Sequence, residues 1–105
     1  MNQLIEISWT SQSLDEARKI SRLLVEKKLV ASAQIIPWLE SIFMWNNQLE
    51  TVQESKIALK TSIEKFDQIK KIIEDNSQYD IPEIMFYKIE GVNQAYFDWI
   101  QNSIA

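Results

Sequence analysis

The chain has 105 residues and a formal net charge of −4, with 46% apolar and 25% charged residues, the make-up of one globular domain. It contains no histidine, no cysteine and a single glycine, Gly91. Those zeros exclude disulfides, thiolate or imidazole nucleophiles, Cys/His zinc sites and glycine-rich phosphate loops, and the acidic balance argues against non-specific nucleic-acid binding.

The first six residues, Met1 to Glu6, lack the basic segment and apolar stretch of a signal peptide, and no uncharged apolar run reaches the roughly 20 residues of a membrane span. A cytoplasmic protein that binds neither nucleic acid nor membrane is expected. Leu4 to Trp9 is short and apolar, which suits a buried strand. Ser13 and Glu16 have capping-box spacing, and Leu14, Ala17, Ile20, Leu23 and Leu24 then mark one helical face that ends near Lys27 and Lys28. The pairs Lys27-Lys28 and Lys70-Lys71 read as solvated charges near helix ends, where positive charge suits the negative end of the helix dipole.

From Val30 the alternation of an extended chain runs to Trp45 and resumes from Leu49 to Thr61, with Asn46-Asn47 as a hairpin turn that needs left-handed residues. Pro37 belongs at an edge or a bulge, because it cannot donate to a ladder. Thr61 and Glu64 suggest a second capping box, ahead of a stripe of Ile63, Phe66, Ile69, Ile72 and Ile73. Pro82 keeps Ile81 out of a helix, and Ile84 to Ile89 forms a fourth strand closed by Gly91. Asn93 is an N-cap for a last helix carrying Tyr96, Trp99, Ile100 and Ile104. The order β-α-β-β-α-β with a C-terminal helix is an α+β, ferredoxin-like arrangement, one domain over residues 1–105 with helices on one face of an antiparallel sheet.

Four tryptophans, four phenylalanines and three tyrosines are a heavy aromatic load for such a sheet. Trp38 and Ile42 fall on one side of the hairpin, and Leu39, Phe43 and Trp45 on the other. Apolar residues on both sides exceed what a soluble monomer usually exposes, so burial against further copies of the chain is expected.

Read together, the motifs resemble the CutA divalent-cation-tolerance family. Ala17 to Ala33 carries a core at Leu24-Val25-Glu26, Leu29 and Ala31 that resembles the family's "LVE..L.A". Pro37 with Ser41-Ile42-Phe43-Met44-Trp45 resembles its "P…SIYxW", and Glu54 with Lys60-Thr61 resembles its "E…IKT". Tyr79 to Ile84 resembles "PYEVPEI", and Gly91 through Tyr96, Trp99 and Ile100 resembles "GN..Y..W". The resemblance covers nearly the whole chain. It implies a ferredoxin-like protomer in a tight homotrimer, akin to the PII signalling proteins, with a non-catalytic role in tolerance of copper and other divalent cations.

The chain departs from that family where metal would bind. Ala31-Ser32-Ala33 stands where many members have a cysteine, and Asn76-Ser77-Gln78-Tyr79 where many have a histidine. Copper favours thiolate, thioether and imidazole donors, and what remains are carboxylates, amides and Met1, Met44 and Met85. No confident metal ligand and no resident cofactor emerge, only a weakly bound divalent cation. The hairpin glycine of the family is Asn47 here.

Lys60, Glu54, Tyr79 and Glu83 are the candidate ligand-binding residues. In one reading Lys60 meets the anionic group of a small ligand in a cleft between protomers, and Glu83 or Tyr79 orients it, as in a PII-like sensor. In the other, Lys60 pairs with a glutamate across the interface and sets trimer register. Trp45, Phe43, Tyr96, Trp99 and Pro82 are assigned to packing, within the protomer or between protomers. Glu83 has no partner for acid–base work, so no catalytic residue is assigned.

Overall fold

A computed structural model describes residues 3–105. Met1, one of the thioether donors considered above, lies outside the described residues. The chain runs β1 (Leu4–Ser11), α1 (Leu14–Glu26), β2 (Ser32–Trp45), β3 (Gln48–Ser62), a 3₁₀ turn (Ile63–Lys65), α2 (Phe66–Asn76), β4 (Ile84–Lys88) and α3 (Gln94–Ser103). The four strands lie in the order β2-β3-β1-β4, and every neighbouring pair is antiparallel. This is the ferredoxin-like α+β arrangement that the alternation of periods predicts.

Strand period decides which side chains meet the helices. Ile5, Ile7 and Trp9 of β1 point to the same face as Ile57 and Leu59 of β3, and there they pack with Ala17, Ile20 and Leu24 of α1 and Ile69 and Ile73 of α2. All ten are buried. Placing the two crossover helices on one face holds. The third helix closes one end of the other face, where Ile100 and Ile104 pack on Leu4, whose side chain alternates with that of Ile5.

Helix ends follow their local chemistry, with two differences from the capping-box reading. Ser13 does cap α1, its Oγ accepting from the Glu16 backbone N–H at 3.1 Å. The Glu16 carboxylate does not return to Ser13; it accepts instead from Ser11 Oγ and from the Gln78 backbone N–H. Thr61 is no cap at all. It ends inside β3 on the core face, donating to the Leu29 carbonyl at 2.6 Å, so α2 starts later, at Phe66. Asn93 occupies the N-cap of α3 without a side-chain hydrogen bond. Lys70 and Lys71 sit within α2 rather than at its end, paired with Asp67 and Asp75.

α1 ends in a Schellman motif, in which the Leu29 N–H bonds the Leu24 carbonyl and the Lys28 N–H that of Val25, with Lys28 left-handed at φ 59°. The hairpin turn is also as expected, Asn46 and Asn47 having φ of 52° and 64°. Pro37 meets both of its predicted conditions: β2 is an edge strand, and its register slips between Ile36 and Leu39 with Trp38 at φ 60°.

β1 pairs with β3 only as far as Ser55, while β2 and β3 continue to the turn. Residues 39–54 therefore project as a two-stranded arm, which stretches the molecule to 46 Å against 25 and 22 Å in the other directions. Beyond the bulge, Leu39, Ser41, Phe43 and Trp45 share a face with Gln48, Glu50, Val52 and Glu54. Ile42 and Met44 point the other way. Ile42, Phe43, Met44, Trp45 and Leu49 are all exposed.

Candidate functional site

At the root of the arm a cleft of about 710 Å³ opens between the hairpin, the end of β1 and the segment joining α2 to β4. Its position follows from the register. The end of β1 supplies Thr10, β3 supplies Glu54 one residue past its last pair with β1, and β2 supplies Ser41 diagonally across from Glu54. The segment 77–83 has no regular structure, because Pro82 bars Ile81 from helix, and it brings Tyr79 and Glu83 to the same place.

Glu54 is the hub. Its Oε1 accepts from Ser41 Oγ at 2.5 Å and its Oε2 from Tyr79 Oη at 2.6 Å. Burial, together with the hydrogen bond and charge of Glu54 and the charge of Glu16, pushes the Tyr79 hydroxyl well above its ordinary value, since each disfavours the phenolate. The neighbouring Gln78 N–H donates to Glu16 Oε1 at 2.8 Å, fixing the start of the segment to α1. Its far end is held to β1, where the Thr10 N–H donates to the Glu83 carbonyl at 3.4 Å and Ser8 Oγ lies 3.5 Å from Glu83 Oε2.

Three of the four sequence-derived ligand residues, Glu54, Tyr79 and Glu83, thus converge. Lys60 does not join them within one chain. It lies six positions from Glu54 along β3, about 20 Å at strand rise. There its ammonium pairs with Glu6 Oε1 at 2.8 Å, directly across the β1–β3 ladder, and donates to Gln34 Oε1 at 3.1 Å. The glutamate partner of Lys60 is therefore in its own chain. Antiparallel pairing places Glu6 and Lys60 opposite each other, a relation hidden until the register is known.

Of the residues assigned to packing, Phe43 and Trp45 line the cleft and are half-exposed. Tyr96 and Trp99 stack on each other on α3 with ring centroids 5.5 Å apart and also keep an outer face in solvent. Pro82 is half-buried in the segment 77–83. None of the five belongs to the buried core of the single chain. Sequence reasoning missed Ser41 and Glu16 as members of this network; Ser41 was visible as the one small hydroxyl on the cleft face of an otherwise apolar run.

Among the described residues the cleft lining carries Glu50, Glu54, Asp80 and Glu83 and no lysine or arginine. It offers oxygen donors beside the faces of Phe43 and Trp45, which suits cations rather than anions. A copper centre does not fit: among the described residues no three carboxylates converge, and Met44 and Met85 stand on opposite edge strands.

Comparison with known proteins places these features in context. The sequence profile described as CutA1 divalent ion tolerance protein matches residues 5–103. The divalent-cation tolerance protein CutA of Thermus thermophilus is 31% identical over 103 residues, 98% of each chain. The chloroplastic protein CutA 1 of rice, Oryza sativa, is 28% identical over 90% of this chain, which spans only about half (53%) of the rice protein's length. The structure of the periplasmic divalent cation tolerance protein CutA from Archaeoglobus fulgidus superposes with a TM-score of 0.93 at 32% identity, over 97% of this chain and 99% of that one.

Proposed function

This chain belongs to the CutA1 divalent ion tolerance family, and we propose that it acts as a homotrimer in the tolerance of divalent cations, copper among them, through binding and assembly rather than catalysis. The observation that carries this reading is the arm. A two-stranded hairpin with apolar residues on both faces is marginal by itself in water. Ile42, Met44 and Leu49 are each more than 60% exposed in the single chain. Covering them against other copies removes that cost.

The cations suited to the cleft are hard ones, held loosely by carboxylates and the remaining lone pairs of Glu54. Copper then acts on this protein through weak oxygen ligation. The absence of basic residues from the cleft weighs against the PII-like reading of a small anion bound within one chain; that reading needs a cation such as Lys60 supplied by a neighbouring copy.

Sedimentation equilibrium is expected to give about three times the 12.4 kDa protomer mass, and a stable monomer overturns the assembly. Calorimetry with Mn²⁺, Mg²⁺ and Cu²⁺ is expected to show weak binding that Glu54→Gln reduces. Submicromolar affinity for Cu²⁺ in the intact protein contradicts the ligand set.

A further inference from the structure

We propose that a second groove, between α1 and the first residues of β2, binds a small organic anion with an apolar body, its head between Arg18 and Arg22. The groove has a volume of about 360 Å³, at the small end of ligand sites. It shares no lining residue with the arm-root cleft. Arg18, Ser21, Arg22 and Val25 follow one another at three- and four-residue spacing, so α1 presents them on one face. Opposite them, Ala33 and Ile35 of β2 form an apolar wall.

Two observations give this groove its chemistry. Arg18 and Arg22 are exposed and, among the described residues, neither has a carboxylate within 4 Å, so both guanidinium groups are free to meet an anion. Glu26 lines the same groove one turn beyond Arg22 but does not pair with it. Second, Ser21 is only 5% exposed, and its Oγ has no hydrogen-bond partner among the described residues. A sealed hydroxyl without a partner is costly. When the flexible Arg18 and Arg22 side chains swing off the helix face to take an anionic head, that head reaches Ser21 Oγ as well, completing a three-donor cradle of the kind that recognises carboxylate or phosphate. Val25, Ala33 and Ile35 take the apolar body.

The test is an NMR-detected titration of the full chain with octanoate and with hexyl phosphate, which differ in the head, and with inorganic phosphate as the head alone. Saturable shifts at Ser21, Arg22 and Ala33 are expected with at least one amphiphile, and that amphiphile identifies the head. It is expected to bind at least tenfold more tightly than inorganic phosphate. Arg18→Gln with Arg22→Gln is expected to weaken binding by about tenfold or more, the effect of losing charged hydrogen bonds. Ser21→Ala is expected to raise the Tm of the free protein while weakening the ligand several-fold, two changes of opposite sense that a merely structural serine does not produce. Absence of saturable shifts with both amphiphiles, or equal affinity in the double arginine variant, overturns the proposal. Both variants lie outside the arm, so the trimer test above reads independently of this one.

Discussion

The Tyr79 hydroxyl donates to Glu54 Oε2 at 2.6 Å, joining the segment before β4 to the root of the β2–β3 arm. One residue earlier, the Gln78 N–H is bonded to Glu16 at the start of α1. A stretch of chain with no helix or strand of its own is therefore held by side chains from two separate elements, and the cleft exists because of those ties. A carboxylate at this point does what a backbone ladder does elsewhere: it satisfies donors that an irregular segment leaves over.

Tyr79→Phe is expected to cost about 1–2 kcal/mol, the loss of a hydrogen bond to a charged acceptor in a half-buried site. Its pH dependence is more diagnostic. The folded-state pKa of Tyr79 is raised above its ordinary value of 10.0 by burial and then by Glu54. Above about pH 10 the unfolded chain releases this proton while the folded chain retains it, so the unfolded state binds fewer protons and stability falls as pH rises. The contribution is complete below pH 10 and is lost on going upward. Urea midpoints at pH 8 and pH 11 are expected to drop further for the natural chain than for Tyr79→Phe; equal drops contradict the assignment.

Lys28→Gly is expected to stabilise the protein by about 1 kcal/mol. Lys28 holds φ 59° at the position after the α1 C-cap, where the Schellman bonds of Leu29 and Lys28 demand a left-handed residue. A side chain there carries a cost of roughly 1–2 kcal/mol that glycine avoids, less the greater freedom glycine has when unfolded. Thermal denaturation at neutral pH reads the gain. A lower Tm shows that the Lys28 charge near the helix terminus outweighs its backbone strain.

The difference between these two positions also shows what the sequence can disclose. The hairpin turn, the bulge at Pro37 and the core faces of β1, β3 and α1 were legible because each rests on local chemistry: asparagine tolerates left-handed backbone, proline lacks a donor, and side-chain period separates inside from outside. Three of the four candidate ligand residues were legible only as motif members. Their convergence depends on where β1 stops pairing with β3, a long-range fact. The intrachain pairing of Lys60 was illegible for the same reason, since its partner Glu6 is 54 positions away and adjacent only through register. Glu16 matched a local capping pattern, but a longer-range bond to Gln78 took the side chain instead.

The Glu6–Lys60 pair offers a measure of how much such a register contact contributes. Lys60 is mostly covered, 15% exposed at the side chain, while Glu6 is 38% exposed and well screened. A double-mutant cycle of Glu6→Gln and Lys60→Met, read by chemical denaturation, is expected to give a coupling of about 0.5–1 kcal/mol, the range of directly opposed cross-strand charges. The coupling should shrink in 1 M salt, where the Debye length is about 3 Å. A coupling unchanged by salt contradicts the reading of this pair as a screened surface contact.

Trp9 sits at the centre of the core with its ring fully buried, yet among the described residues its indole Nε1–H has no partner. Two opposing terms therefore govern Trp9→Phe. The smaller ring loses packing against Ile57 and Ile84, its cross-strand neighbours, and leaves a void, which is destabilising. The same change removes a buried unsatisfied donor that costs roughly 1–3 kcal/mol. The two nearly cancel, so Trp9→Phe is expected to change stability by less than about 1 kcal/mol. Ile57→Ala, a cavity in the same cluster with no compensating relief, is expected to cost about 3 kcal/mol. Urea denaturation of both variants separates the terms: a loss at Trp9→Phe as large as at Ile57→Ala shows that the indole N–H is satisfied in solution, by a water reaching the core.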